Sequence, residues 1–255
     1  MIPDFALIGA VRSGTTVLSN YIMQHPCVVL PLAKEIGLNI PTKELILAQF
    51  PTQKAGKKVQ QRYGKAITGY CTPLMPRLDL PYFASALTTN VKIIIMMRDP
   101  VERAFAQWRW DQVLISKVKQ DPLWKNYPSF EDIIRLEIEY SHQLASISGF
   151  AISGPGGGYI QLSHYLPFIK KLFEFFDREQ VLFINASDFF EHPVKTTQQI
   201  YQFLELPDYE LIISTRKNSA PPDQMTESAK QLLSEFFKPI NQELYTFIGQ
   251  DFGWQ

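Results

Sequence analysis

"DFALIGAVRSGTTVLSNYI" occupies residues 4–22, and its reading decides the fold. Asp4 to Ile8 form a short apolar run suited to a buried strand. Gly9, four residues and Gly14 follow, and then Thr15 and Thr16. A nucleotide-triphosphatase loop reads G-x-x-x-x-G-K-[ST], with a lysine after the second glycine. Here Thr15 stands in that place, and the basic residue, Arg12, comes before the glycine instead. A glycine turn after a strand gathers backbone N–H groups into one concavity. The next helix adds its unpaired N–H groups and the positive end of its dipole. The stretch therefore reads as an anion-binding loop. Without the lysine that steadies β- and γ-phosphates, it suits a single 5′-phosphate carrying a leaving group better than a triphosphate.

Two further strand–turn–helix units repeat the pattern. "NVKIIIMM" at 90–97 runs into "RDP" and a helix through "VERAFAQWRWD"; "QVLFINASDFF" at 180–190 runs into "VKTTQQIYQFLEL". "CVVL" at 27–30 adds a short fourth strand. Continuous apolar strands, each followed by a helix, predict a parallel sheet covered on both faces. The fold class is thus α/β: a three-layer fold like that of P-loop NTPases, a central parallel sheet flanked by helices. "SFEDIIRLEIEYSHQLASI" at 129–147 predicts a helix with Ser129 as its N-cap. "GPGGG" at 154–158 predicts a loop. The apolar spacing of Leu232, Leu233, Phe236, Phe237, Ile240 and Leu244 predicts a C-terminal helix that Pro239 breaks or kinks.

The 255 residues are 45% hydrophobic, enough for one full α/β core or two small domains at most, and no repeat or linker divides residues 1–255, so one domain is expected. Lys and Arg total 25, as do Asp and Glu, so no electrostatic footprint for nucleic acid or a membrane surface is present. The densest apolar run, "VKIIIMM" at 91–97, is far too short to span a bilayer. No secretory signal precedes the first strand. Two cysteines, Cys27 and Cys71, make neither a disulfide framework nor a zinc site. A soluble cytoplasmic protein, or a soluble domain of a longer chain, is the expectation.

"GAVRSGTT" at 9–16 resembles the phosphosulfate-binding loop, K-x-G-T-T, of sulfotransferases that use 3′-phosphoadenosine 5′-phosphosulfate (PAPS), with Arg12 in place of the lysine. "RDPVERAFA" at 98–106 resembles the same family's 3′-phosphate segment, R-D-P-V-E-R-A-Y-S, with Ala106 in place of the serine. The residues support that reading: Asp99 caps a helix with Pro100 in its first turn, so an anion beside Arg98 meets both guanidinium and dipole. "LPLAKEIGLNI" at 30–40 resembles the K-E-x-H-F-F segment of the heparan-sulfate-like and bacterial branch, with Gly37 and Leu38 replacing histidine and the first aromatic. The resemblance makes Glu35 the general base, with Lys34 beside it; His25, His142 and His164 are rival bases. "ITGYCTPLMPR" at 67–77 resembles the G-x-x-[ST]-P segment through Gly69, Thr72 and Pro73, as acceptor-cleft lining or plain packing. "RKNSAPPDQM" at 216–225 sits where the family has a cofactor-closing loop, so Arg216 and Lys217 could reach the 3′-phosphate. Tyr165 and the final "IGQDFGW" match family positions, and the likeness spans nearly the whole chain.

The resemblance implies a single PAPS-dependent sulfotransferase domain over 1–255. Arg12, Ser13, Gly14, Thr15 and Thr16 would hold the 5′-phosphosulfate and Arg98 the 3′-phosphate; Glu35, Arg12 and Lys34 would serve catalysis. PAP is the product, and no motif asks for a metal. Trp108, Trp110 and Trp124 hint at a ring-bearing acceptor, and the absent signal favours a small or carrier-bound natural product over a glycan. The rivals are a nucleotide kinase or NTPase, and a PAP-binding module without activity.

Overall fold

The computed structural model describes residues 1–33, 43–73, 75, 80–86, 90–117, 127–141, 158–213 and 224–254. In chain order the elements are β1 (Phe5–Leu7), α1 (Thr15–Ile22), α2 (Lys43–Leu47), α3 (Gln53–Tyr63), β2 (Gly69–Cys71), α4 (Leu80–Ala86), β3 (Lys92–Met97), α5 (Pro100–Lys117), α6 (Phe130–Glu139), α7 (Leu166–Leu172), β4 (Val181–Asn185), α8 (Ala186–Glu191), α9 (Pro193–Phe203) and α10 (Glu227–Ile248). The chain divides into two compact units. One is Met1–Arg98 with Phe168–Arg216, and the other is Asp99–Pro167 with Lys217–Gln255.

The first unit holds the sheet. Its order is β2-β1-β3-β4, and every pairing is parallel. Side chains alternate across a strand, so in this register Phe5, Leu7, Ile94, Met96 and Ile184 share one face. They pack on Leu18 and Ile22 of α1 and Ile200 of α9. The opposite face carries an aromatic chain in which Phe50, Tyr70, Phe83 and Phe176 meet edge to face. Both faces are covered, as the uninterrupted apolar character of β3 requires. The α/β layering read from the sequence is the observed one.

Three expectations need correction. "CVVL" at 27–30 contributes only an isolated bridge, Val28 to Ile67. The fourth strand is β2, from the stretch read as cleft lining or packing. Residues 186–190 do not continue β4. Asn185 accepts the Ser187 N–H at 3.2 Å and caps α8, so the apolar run switches from strand to helix. Pro239 does not interrupt α10, which runs from Glu227 to Ile248 with the proline inside. A proline removes one backbone donor, whereas Leu233, Phe237, Leu244 and Ile248 bury the helix on both sides of it.

The second unit is helical. α5 extends to Lys117, beyond the predicted Asp111. Val101, Ala104 and Phe105 of α5 pack with Phe130 and Ile134 of α6 and Leu233 and Phe237 of α10. Ser129 caps α6 through the Asp132 N–H at 3.2 Å, as expected. Of "GPGGG" only Gly158 lies among the described residues.

Candidate active site

The loop after β1 is laced to β3 before it turns. The Ile8 N–H donates to the Ile94 carbonyl at 3.0 Å, and the Met96 N–H donates to the Gly9 carbonyl at 2.8 Å. The Ser13 N–H then closes a turn on the Ala10 carbonyl at 3.2 Å. Arg12 has φ +63° and Gly14 φ +97°, so the chain reverses through left-handed conformations into α1. Gly14 is the N-cap. The N–H groups of Val17 and Leu18 both return to its carbonyl, at 2.9 and 3.2 Å. The N–H groups of Gly14, Thr15 and Thr16 therefore have no acceptor inside the helix. The first turn of α1 carries no acidic residue. Oriented backbone donors and the positive end of the helix dipole therefore meet at the start of α1, an arrangement that favours negative charge.

A second basic group is bonded to the loop. The Arg98 guanidinium, at the end of β3, donates to the Arg12 carbonyl at 3.5 Å. The two motifs read separately from the sequence are therefore joined at one loop. The Cys71 thiol, from β2, donates to the Thr15 carbonyl at 3.9 Å on the sheet side. Thr15 is buried and Thr16 exposed. Ser13 is fully buried, its N–H is spent within the turn, and its hydroxyl has no partner among the described residues.

Asp99 caps α5 as the sequence indicates, accepting the Val101 N–H at 2.8 Å. The other arginine of the "RDPVER" run, Arg103, is completely buried in the second unit, so it is no surface phosphate ligand. Sequence reasoning missed it. The signal was present in the spacing: Arg103, Gln107 and Asp111 recur every four residues, and all three are buried. Phe190 was missed as well. Its ring, 56% exposed, rests against Gly14. Lys34, Glu35, Gly37, Leu38, Trp124, His142, Arg216 and Lys217 lie outside the described residues.

His25, a rival base, is committed elsewhere. Its Nδ1 accepts the Cys27 N–H at 3.1 Å, which leaves Nε2 to carry the proton and donate to the Pro207 carbonyl at 2.9 Å. Tyr201 and Tyr209 flank the ring. Burial lowers its pKa from the ordinary 6.5. As pH falls below about 6.5, the unfolded chain takes up a proton that the folded chain resists, so this site loses stability on acidification. Melting temperature against pH should fall more steeply between about pH 7 and 5 for the wild type than for His25→Asn. Equal slopes would reject the clamp.

The sequence profile of the sulfotransferase domain family matches residues 2–238. The membrane-associated sulfotransferase kil1 of Dictyostelium discoideum is 23% identical over 331 residues, taking in 100% of this chain and 67% of that protein. The bifunctional heparan sulfate N-deacetylase/N-sulfotransferase 1 of Caenorhabditis briggsae is 22% identical over 215 residues, 82% of this chain, which spans only 23% of that relative's length. The crystal structure of a sulfotransferase from Alicyclobacillus acidocaldarius superposes with a TM-score of 0.63 at 22% identity, over 98% of this chain and 96% of that one, a likeness of fold. The profile match over residues 2–238 makes this chain a member of the sulfotransferase domain family, a transferase.

Proposed function

We propose that the chain transfers a sulfonate group from PAPS to a hydroxyl or amine of a small-molecule or carrier-bound natural-product acceptor, releasing PAP. The observation that carries this reading is the Gly14-capped loop with Arg98 bonded to its Arg12 carbonyl. A 5′-phosphate fits the N–H groups at the N-terminus of α1, from Gly14 to Thr16, and the 3′-phosphate fits Arg98. Thr15, in the place of a P-loop lysine, disfavours a triphosphate.

The acceptor lone pair forms the new bond to sulfur while the bond from sulfur to the 5′-phosphate oxygen breaks, its electrons leaving with PAP. The acceptor proton passes to the Glu35 carboxylate, with Lys34 beside it. Arg12 and the end of α1 stabilise the charge that grows on the departing phosphate. Arg216 and Lys217 close on the 3′-phosphate. Ser13 shapes the turn. We place the reaction in the cytoplasm, a reading supported by two free buried cysteines. No helix among the described residues is long and apolar enough to cross a membrane.

A thermal-shift titration tests the reading. PAP at about one hundred times its dissociation constant adds roughly 2.7 kcal/mol. For a chain of this size that raises the melting temperature by about 5–10 °C. AMP should shift it little. A shift with ATP–Mg alone would favour a nucleotide kinase, and no shift at all would reject PAPS as donor. A PAP shift without turnover on any acceptor would point to the non-catalytic module. A glycan acceptor is the second reading, favoured by the heparan sulfate enzyme among the relatives. Labelled sulfonate passing from PAPS to heparan-type oligosaccharides, and not to phenols or carrier-bound acyl chains, would select it.

A further inference from the structure

The "RDPVER" run carries two arginines, and the proposed function uses only Arg98. Arg103 sits in the first turn of α5, where its N–H donates to the Asp99 carbonyl at 2.8 Å. Its side chain is fully buried and hydrogen-bonded within the second unit. Nε donates to Ser163 Oγ at 2.6 Å, one terminal nitrogen to Gln107 Oε1 at 2.7 Å, and the other to the Tyr159 carbonyl at 2.7 Å. Ser163 lies within hydrogen-bond reach of the Pro100 carbonyl, at 3.1 Å, and of the Tyr159 carbonyl, at 2.7 Å, so its single proton is shared between them. The segment 158–163 is held in turn from α6, where Glu137 accepts the N–H groups of Tyr159 and Ile160 at 3.1 and 2.7 Å. A planar guanidinium whose acceptors lie in fixed directions locks orientation as well as position.

We propose that Arg103 is a positioning residue for 3′-phosphate recognition. Through Ser163 and Tyr159 it bolts the first turn of α5, from Asp99 to Arg103, onto an independently anchored segment. Arg98 is bonded directly to Asp99, so the peptide link that follows the proposed phosphate ligand enters this braced turn. The inference rests on the reading of Arg98 as the 3′-phosphate ligand.

The affinities of PAP and AMP, measured by calorimetry at a temperature where each protein is fully folded, test it. The ratio of the two reports what the 3′-phosphate adds. Removing a buried charge with Arg103→Met risks unfolding, so the informative variants are Arg103→Lys, which keeps the charge without the fork, and Ser163→Ala, which removes only the hydroxyl. Both should lower the PAP-to-AMP affinity ratio by about tenfold, short of the roughly hundredfold that an ångström-scale misplacement costs. AMP affinity should stay near wild type. A merely structural arginine would lower the melting temperature and leave the ratio unchanged, and that result overturns the positioning role alone. A wild-type chain that does not bind PAP overturns the positioning role together with the reading beneath it.

Discussion

Gly14→Ala is expected to weaken PAP binding by about a hundredfold, the cost of misaligning a set of binding groups by about an ångström. Gly14 has φ +97° and ψ 14°, a backbone conformation that side-chain-bearing residues adopt only under strain of about 1–3 kcal/mol. An added Cβ would also stand 2.5 Å from Phe190 Cζ and 3.4 Å from Met96 Cε. Phe190 is more than half exposed and can swing aside, so the steric part is relieved cheaply; the backbone strain cannot be. The loop relaxes by rotating the peptide units at Gly14 and Thr15, whose N–H groups are the proposed phosphate donors. The double variant Gly14→Ala, Phe190→Ala should therefore recover little affinity. Gly64→Ala is the matched control. Gly64 has φ +80° and nothing within 4 Å of an added Cβ, so the substitution carries similar strain at the C-terminal end of α3, away from the loop. It should lower the melting temperature by a few degrees and leave PAP affinity intact. If Gly14→Ala binds PAP as Gly64→Ala does, the α1 N-terminus is not the phosphate site.

What the sequence disclosed was what is locally determined. β3 is apolar on both faces, and that needs no knowledge of its partners. The Asp99 cap, Pro100 and the helix after them are encoded within a few residues, as is the Ser129 cap of α6. The elements misread are those fixed by tertiary contact. β2 is three residues long and exists because Gly69 to Cys71 find the register of Phe5 to Leu7. Residues 186–190 follow the apolar run of β4 directly, and the Asn185 cap marks the change to helix. Pro239 reads as breaking or kinking the helix; it does not break it, because burial along α10 outweighs one missing donor. The turn between β1 and α1 was legible from its glycines, and Gly14 takes the left-handed conformation there as the N-cap of α1. Arg103 was not legible, since its partners Ser163 and Tyr159 lie about sixty residues away in the chain.

Glu137→Ala is expected to cost about 3–5 kcal/mol, the usual consequence of leaving a buried opposite charge without its partner. For a chain of this length that is a fall in melting temperature of about 6–20 °C. Glu137 is 9% exposed on α6 and accepts the N–H groups of Gly158, Tyr159 and Ile160. Alanine leaves those three donors without their acceptor and removes the carboxylate that faces the Arg103 charge. Glu137→Gln should fall between, because its amide oxygen replaces one acceptor while its NH₂ confronts a donor. The pH dependence carries a definite sign. Burial is the largest influence on Glu137 and raises its pKa above the ordinary 4.5, against the pull of the three N–H groups and Arg103. The folded protein thus binds a proton more readily here than the unfolded chain. That contribution is fully present below about pH 4.5 and is lost as pH rises through the folded pKa. The stability gap between wild type and Glu137→Ala should consequently widen on acidification, opposite in direction to the His25 effect. Since Glu137 and Arg103 act on the same 158–163 segment, their losses should not add: in the Glu137→Ala background, Arg103→Met should cost distinctly less than it does alone. Additive losses would mean two separate supports, with no shared network behind the first turn of α5.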